Sequence, residues 1–121
     1  MKKIIVTDDE PMNLKMTEFL LKKNGFEVIT ASSGPECLNA VKENKPDLIL
    51  LDLLMPEMNG FETYERLTAC EESKDIPVIL LTAAEDSETL EKAASLGIFA
   101  CVGKPFRQPV LIENINRALG I

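Results

Sequence analysis

Residues 46–56 are Pro46-Asp47-Leu48-Ile49-Leu50-Leu51-Asp52-Leu53-Leu54-Met55-Pro56. Four consecutive apolar residues follow the Pro-Asp pair and lead into a single carboxylate, which predicts a strand buried on both faces at the centre of a parallel sheet. Pro56 and the nearby Asn59-Gly60 predict a turn beyond this strand. Asp52 is therefore expected at the carboxyl end of a central strand, where open α/β sheets bind their ligands.

Asp52 also has a simpler interpretation. A single Asp that closes an apolar run is usually a turn or helix-capping residue. The two interpretations differ in what they require of the other strands, because a functional Asp52 needs matching polar groups at their carboxyl ends.

The length and composition are those of one globular domain covering residues 1–121. Hydrophobic residues make up 45% and charged residues 27% of the chain, and the net charge is −7. An acidic chain of this kind argues against direct binding to nucleic acid. There is neither a signal-peptide pattern nor an apolar run long enough to span a membrane, so a cytoplasmic protein without membrane contact is expected.

The cysteine and histidine content narrows the chemistry. Cys37, Cys70 and Cys101 are widely spaced and the chain contains no histidine, which argues against a zinc site. The cysteines are interpreted as reduced thiols that act as small core residues. Without histidine, the chain can form neither a Ser-His or Cys-His nucleophile nor a phosphohistidine of its own.

Strand and helix patterns alternate along the whole chain. Strands are predicted over residues 3–7, 26–30, 76–82 and 98–102, in addition to the one that ends at Asp52. Helices are predicted over about 11–24, 33–45, 60–70, 86–96 and 108–119. Five strands alternating with five helices predict an α/β fold with a single doubly wound parallel sheet covered on both faces.

Apolar spacing indicates the inner faces of the helices and the packing of several side chains. Met55 and Met58 are interpreted as core or loop packing residues, as are the other methionines. The residues at helical spacing are Met12, Met16, Phe19 and Leu20 in the first helix, Leu90, Ala93 and Ala94 in the fourth, and Leu111, Ile115 and Ala118 or Leu119 in the fifth.

Polar groups collect at the predicted carboxyl ends of four strands: Asp8 and Asp9, Asp52, Thr82, and Lys104. Clustered carboxylates repel one another and need a cation, and oxygen ligands without His or Cys favour Mg²⁺ or Mn²⁺. If the strands of Asp8 and Thr82 flank that of Asp52, the fifth strand lies about 10 Å away, a distance that a lysine side chain can span. A cation beside Asp52 with an ammonium nearby suits phosphoryl transfer to a carboxylate.

These residues, together with Met55-Pro56-Glu57-Met58-Asn59-Gly60, Thr82-Ala83-Ala84 and Lys104-Pro105-Phe106, resemble the receiver domain of two-component response regulators, including stand-alone chemotaxis regulators. The resemblance covers the whole chain with every motif in order. It implies a flavodoxin-like sheet with the strand order 2-1-3-4-5. It also implies a phosphorylation-activated signalling switch of a two-component or phosphorelay system.

The same resemblance implies a role for each site residue. Asp52 would be the phosphoacceptor. Asp9 and Asp52 would bind Mg²⁺ directly, with the backbone carbonyl of Leu54 as a third ligand and Asp8 acting mainly through water. Lys104, preceding a cis peptide bond, would contact the phosphoryl oxygens, and Thr82 would hydrogen-bond one of them. The phosphoryl donor would be a phosphohistidine on a histidine kinase or phosphotransfer protein, and a downstream effector protein would sense the change.

The chain departs from the family pattern at Cys101, where members usually carry a Tyr or Phe that couples to the threonine. Phe99 lies two residues earlier, on the same side of the predicted strand. Either the aromatic switch is absent, which we favour, or Phe99 replaces it incompletely. In either case, the phosphorylation site would be coupled differently to the usual output face, which is formed by the fourth helix, fifth strand and fifth helix.

Other functions compete with this interpretation. The resemblance implies no enzyme in the ordinary sense, only self-catalysed phosphoryl uptake and slow autodephosphorylation. A Mg²⁺-dependent aspartyl-phosphate phosphohydrolase would want a second Asp where Leu54 stands. A phosphate-independent interaction module leaves the complete acidic cluster unexplained, and a flavin-binding domain lacks a phosphate loop.

Overall fold

The computed structural model describes residues 1–83 and 86–121 and consists of a five-stranded parallel sheet and five helices. The strands are β1 (Lys3–Thr7), β2 (Glu27–Ala31), β3 (Leu48–Asp52), β4 (Val78–Thr82) and β5 (Ala100–Gly103). The helices are α1 (Pro11–Lys23), α2 (Gly34–Asn44), α3 (Gly60–Thr68), α4 (Ser87–Leu96) and α5 (Gln108–Leu119). Within the described residues, no helix is long and apolar enough to cross a membrane.

The sheet has the order β2-β1-β3-β4-β5 and all four pairings are parallel. Strand β3 is central, and every one of its residues is buried. Because the strands are parallel, their carboxyl ends meet at one edge, so the predicted fold and strand order are confirmed. The central position of β3 also confirms that β1 and β4 flank it and that β5 is the second strand away.

Two apolar cores lie on opposite faces of the sheet, since alternate strand residues point in opposite directions. Ile49 and Leu51 of β3 belong to the core under α2 and α3, whereas Leu48 and Leu50 belong to the core under α1 and α5. This arrangement explains the unbroken apolar run of β3, because both of its faces are covered by helices.

Several predicted boundaries shift by one or two residues, and a local hydrogen bond accounts for one of the shifts. Strand β4 begins at Val78, because the backbone N–H of Ile76 closes a turn onto the carbonyl of Ser73. Strand β5 begins at Ala100, after the backbone N–H of Phe99 donates to the carbonyl of Val78. The helices lie where the sequence places them, with α1 and α3 ending one and two residues earlier.

The buried helical faces differ most from those that apolar spacing predicts. Of the four residues at helical spacing in α1, Leu20 is buried, while Met12, Met16 and Phe19 are 67%, 66% and 71% exposed. Helix α1 instead packs through an adjacent face; its buried residues are Thr17, Leu20 and Leu21. The spacing identified the helix correctly but selected the wrong face, because α1 carries apolar residues on two sides.

Three further assignments to the interior are wrong. Ala93 of α4 is buried as predicted, but Leu90 and Ala94 are exposed. Among the cysteines, Cys37 is buried and Cys101 is half-buried, but Cys70 is exposed because it follows the end of α3. In α5, Leu111 and Ile115 are buried as expected.

Candidate functional site

Asp52 is the last residue of β3, and its side chain is almost completely buried, with 6% exposed. The backbone N–H of the next residue, Leu53, donates to the carbonyl of Leu81 in β4, at 2.9 Å. Asp52 thus ends the central strand, and the backbone directly after it is hydrogen-bonded to β4. Its simpler interpretation as a helix cap is wrong, because the cap of α3 is Asn59.

Asp8 and Asp9 follow β1, the strand beside β3. Carboxylate oxygens of Asp8, Asp9 and Asp52 lie within 4.8 Å of one another. Asp8 is buried, and its Oδ1 accepts a hydrogen bond from the backbone N–H of Glu10 at 2.9 Å, whereas Asp9 is exposed. The backbone N–H of Asp8 donates to the carbonyl of Ala31, which continues the β1–β2 ladder. The sheet therefore brings together the three acids that the sequence singled out.

Lys104 crosses from the loop after β5 to this acidic cluster. Its Nζ lies 3.1 Å from Oδ2 of Asp8 and 3.2 Å from Oδ1 of Asp52. The backbone N–H of Lys104 donates to the carbonyl of Thr82 at 2.9 Å, and its peptide bond to Pro105 is cis, as expected. The lysine side chain therefore spans the distance from β5, which is the second strand away from β3, to the site, as the strand spacing predicted.

The remaining predicted residues lie around the same edge. Thr82 is the last residue of β4 and is fully buried, and its Cα pairs with that of Gly103 in β5. Leu54 lies two residues beyond Asp52, in the loop between β3 and α3, with its side chain 62% exposed. Ala84, which completed the third sequence motif, lies outside the described residues.

The electrostatics of Asp52 follow from its burial and its charged neighbours. Burial raises the pKa of Asp52 to about 6, with Lys104 opposing the shift and the Asp8 carboxylate adding to it. Burial alone would lower the pKa of Lys104, but its hydrogen bond to Asp8 and the charge of Asp52 raise it. Lys104 is therefore a firmly charged ammonium, and Asp52 is a carboxylate that a further cation would stabilise.

The donor set fits a hard divalent cation. Three carboxylates within 4.8 Å of one another supply oxygen ligands only, and one of them is open to solvent. Mg²⁺ prefers such an incomplete protein shell because it retains several water ligands. The residues are therefore able to hold a metal ion.

Gly60 contributes to the site in a way that its appearance in a predicted turn and in a family motif did not reveal. Its backbone N–H donates to the carbonyl of Leu53 at 2.8 Å. A Cβ at this position would lie 2.7 Å from the backbone oxygen of Asp52 and 2.9 Å from the Cα of Leu53. Only glycine lets α3 begin this close to the chain that carries Asp52. The capping box between Asn59 and Glu62 then fixes the start of the helix.

The β5 edge carries no aromatic residue where the resemblance implies one. Cys101 is half-buried and pairs with Leu80 of β4. Phe99 precedes β5 and is 41% exposed, and the guanidinium carbon of Arg117 lies 5.7 Å from its ring centroid. Phe99 thus packs against α5 from outside the strand.

Comparison with known proteins identifies the family. Residues 4–116 match the model described as "Response regulator receiver domain". The polar-differentiation response regulator DivK of Brucella ovis is 36% identical over 119 residues, covering 98% of this chain and 97% of that protein.

Solved structures agree in fold and length. The chemotaxis protein CheY4 of Vibrio cholerae is 29% identical, with a TM-score of 0.93 and coverage of 98% of this chain and 99% of that one. A response regulator receiver domain protein from Clostridium thermocellum is 33% identical, with a TM-score of 0.92 and coverage of 99% and 95%.

Receiver domains of this family are generally signalling switches without ordinary enzymatic activity. They bind Mg²⁺ at an acidic pocket and interact with histidine kinases or phosphotransfer proteins and with effectors. In this chain, Asp8, Asp9 and Asp52 at the carboxyl edge of the sheet form an acidic cluster that is able to hold a metal ion. This chain belongs to the response regulator receiver domain family, and it is a phosphorylation-activated signalling switch of two-component systems.

Proposed function

We propose that residues 1–121 form one receiver domain, in which Asp52 accepts a phosphoryl group from a phosphohistidine and the change alters a partner-binding surface. One observation carries the proposal: Asp52 shares an oxygen cluster with Asp8 and Asp9, and Lys104 contacts two of these three acids. A nucleophilic carboxylate, a place for a divalent cation and a fixed ammonium are what phosphoryl transfer to an acid needs.

Each residue has a separate role in this proposal. A carboxylate oxygen of Asp52 attacks the phosphorus atom, the P–N bond to the donor histidine breaks, and the imidazole nitrogen leaves with the electron pair. Lys104 and Thr82 bind oxygens of the transferred group. The chain would also catalyse the slow hydrolysis of its own acyl phosphate.

The metal ligands would be Asp9, Asp52 and the backbone carbonyl of Leu54, with Asp8 acting mainly through water. When bound there, Mg²⁺, or Mn²⁺ in its place, would neutralise charge on the phosphoryl oxygens. The exposed position of Asp9 supports a ligand that faces incoming phosphate, and the hydrogen bond from Glu10 to Asp8 supports a more indirect role for Asp8.

The partners we propose are a histidine kinase or phosphotransfer protein as donor and an effector protein as receiver of the signal, without nucleic acid or membrane. A donor in another chain agrees with the absence of histidine here. We also propose that the protein acts in the cytoplasm, which its three free thiols support.

Intact-mass measurement after incubation with acetyl phosphate and Mg²⁺ tests the proposal directly. We expect a single phosphate adduct on the wild-type chain that requires Mg²⁺ and is absent from Asp52→Ala. The matched control is Asp47→Asn, because Asp47 precedes the same strand at its opposite end, where Oδ2 accepts from the backbone N–H of Lys3. This variant should be phosphorylated like the wild type.

The negative outcome also has a defined meaning. Acetyl phosphate is a small donor and not the proposed phosphohistidine protein. If no adduct forms with it, the wild-type chain is next titrated with beryllofluoride and Mg²⁺. If neither reagent modifies or binds the wild-type chain, the phosphoacceptor function is wrong. An adduct that persists in Asp52→Ala would overturn the assignment of the acceptor residue.

A further inference from the structure

A cavity of about 370 Å³ lies beside the phosphorylation site, between α1 and the loop that joins β5 to α5. Its apolar lining comes from Met16 of α1, Leu81 of β4, and Pro105 and Phe106 of the loop. None of these four residues takes part in the proposed phosphoryl transfer. Cavities of this size, with apolar walls and a few polar groups, are typical binding sites for small molecules.

Thr17 of α1 brings a polar group to this lining that the fold leaves without a partner. The residue is 4% exposed and borders the cavity. A threonine inside a helix often bonds through its hydroxyl to a backbone carbonyl of the preceding turn. Within residues 1–83 and 86–121, the Thr17 hydroxyl makes no hydrogen bond. Because buried polar groups are nearly always paired, this hydroxyl indicates a bound molecule, and the cavity is much larger than one water needs.

Two amide side chains offer further donors and acceptors. Asn13 of α1 and Gln108 of α5 line the same cavity. Among the described residues, neither side chain makes a hydrogen bond. An amide group carries donors and an acceptor, so each can pair with a group of the same kind on a ligand. The polar groups that remain free around the cavity are therefore uncharged.

The charged residues of the lining, Asp8 and Lys104, already neutralise each other at 3.1 Å. The other oxygen of Asp8 accepts the backbone N–H of Glu10. Asp9 and Asp52 lie beyond this pair and add negative charge to the same side of the cavity. An anionic ligand would be repelled by these acids, whereas a neutral one would not.

We propose that this cavity binds an uncharged, flat ring compound that carries an amide group or a ring edge with the same donors and acceptors. The ring would contact the Phe106 ring and the Met16 thioether, and the amide would bond to the Thr17 hydroxyl. Such a ligand would also contact Lys104 and so adjoin the phosphorylation site. The inference does not depend on Asp52 being the phosphoacceptor, because binding requires no phosphoryl group.

The test is a titration of the isotope-labelled chain with benzamide in metal-free buffer, followed by NMR. We expect saturable shifts in the backbone amide signals of Thr17, Leu81 and Phe106, with a Kd of about 1 to 10 mM for a molecule this small. Benzoate has the same shape and a negative charge, and it should bind at least about tenfold more weakly.

Two variants test the lining, each with a matched control. Thr17→Val removes the unpaired hydroxyl, so it should fold at least as well as the wild type and raise the Kd for benzamide about fivefold to tenfold. Phe106→Ala removes apolar contact and should raise the Kd by a similar factor. Thr68→Val alters an exposed threonine whose hydroxyl donates to the carbonyl of Glu65, and Phe99→Ala removes a 41% exposed phenylalanine before β5. Both controls should bind benzamide like the wild type.

Several results would overturn the inference. They are the absence of saturable shifts up to the solubility limit of benzamide, shifts confined to residues outside the lining, and equal affinities for benzamide and benzoate. An unchanged Kd in Thr17→Val would likewise overturn it. If one variant gives no folded spectrum, the other decides the outcome.

Discussion

The Nζ of Lys104 lies 3.2 Å from Oδ1 of Asp52, although Asp52 ends β3, Lys104 follows β5, and these two strands are not neighbours in the sheet. The same ammonium contacts Asp8 at 3.1 Å. In the absence of a metal ion, Lys104 therefore provides the counter-charge of the acidic cluster. Mg²⁺ and Lys104 neutralise the same carboxylates, and their effects on stability are expected to be linked.

Lys104→Ala should lower the stability of the metal-free protein and enlarge the stabilisation that Mg²⁺ provides. Removing one partner of a largely buried ion pair leaves carboxylates uncompensated, at a cost of about 1 to 3 kcal/mol here. Thermal unfolding with and without Mg²⁺ measures both effects. The control is Lys22→Ala, which breaks a surface pair and should change stability by less than about 1 kcal/mol. An equal response to Mg²⁺ in Lys104→Ala and the wild type would contradict this linkage.

Asp52→Asn should make the metal-free protein more stable than the wild type at neutral pH. The pKa of Asp52 is raised to about 6, so between about pH 4 and pH 6 the native state binds more protons than the unfolded state, and stability falls as pH rises. Above this window the penalty is complete and amounts to about 3 kcal/mol.

Urea unfolding across this pH range checks the sign. The advantage of Asp52→Asn should shrink towards about pH 4 and disappear below it, where the wild-type carboxyl is protonated in both states. Saturating Mg²⁺ should remove the advantage at neutral pH, because the cation stabilises the ionised acid. If the stability difference between Asp52→Asn and the wild type does not vary with pH, burial does not raise the pKa of Asp52.

Gly60→Ala should impair the site as well as the fold. The added Cβ would lie 2.7 Å from the backbone oxygen of Asp52, so α3 must move away from β3, at a cost of about 1 to 3 kcal/mol. We expect slower phosphorylation by acetyl phosphate and a lower melting temperature. The control is Gly25→Ala, where a Cβ meets no atom within 4 Å but φ is +89°. Gly25→Ala should lose stability and keep the wild-type rate of phosphorylation. Equal phosphorylation rates for both variants would show that Gly60 has no positioning role.

Cys101→Tyr should leave phosphorylation intact and change partner affinity, since it restores the aromatic residue that the family resemblance implies. Cys101 lies in β5, two residues before Gly103, the partner of Thr82. Affinity for the donor kinase, measured in both phosphorylation states, provides the readout. Unchanged affinity in both states would count against a coupling role for this position.

The order of strands and helices follows from local patterns in the sequence. The apolar run of β3 required helices on both faces, and the alternation of elements required parallel strands, whose polar ends then meet at one edge. These patterns predicted that Asp8, Asp9, Asp52, Thr82 and Lys104 belong together, and the structure places them at one edge. The family motifs added the strand order and the cis bond after Lys104, and both are confirmed.

Tertiary packing decided which side of each helix is buried and how the site is held. Periodicity shows that α1 is a helix, but its apolar residues occupy two sides, and only contact with the sheet selects Leu20 and Leu21 over Met16 and Phe19. The same holds for Gly60, whose necessity depends on how closely α3 approaches β3. Contacts between distant elements depend on distances that local propensity does not encode, and for that reason the exposure of Met12, Met16 and Phe19 emerged only from the folded chain.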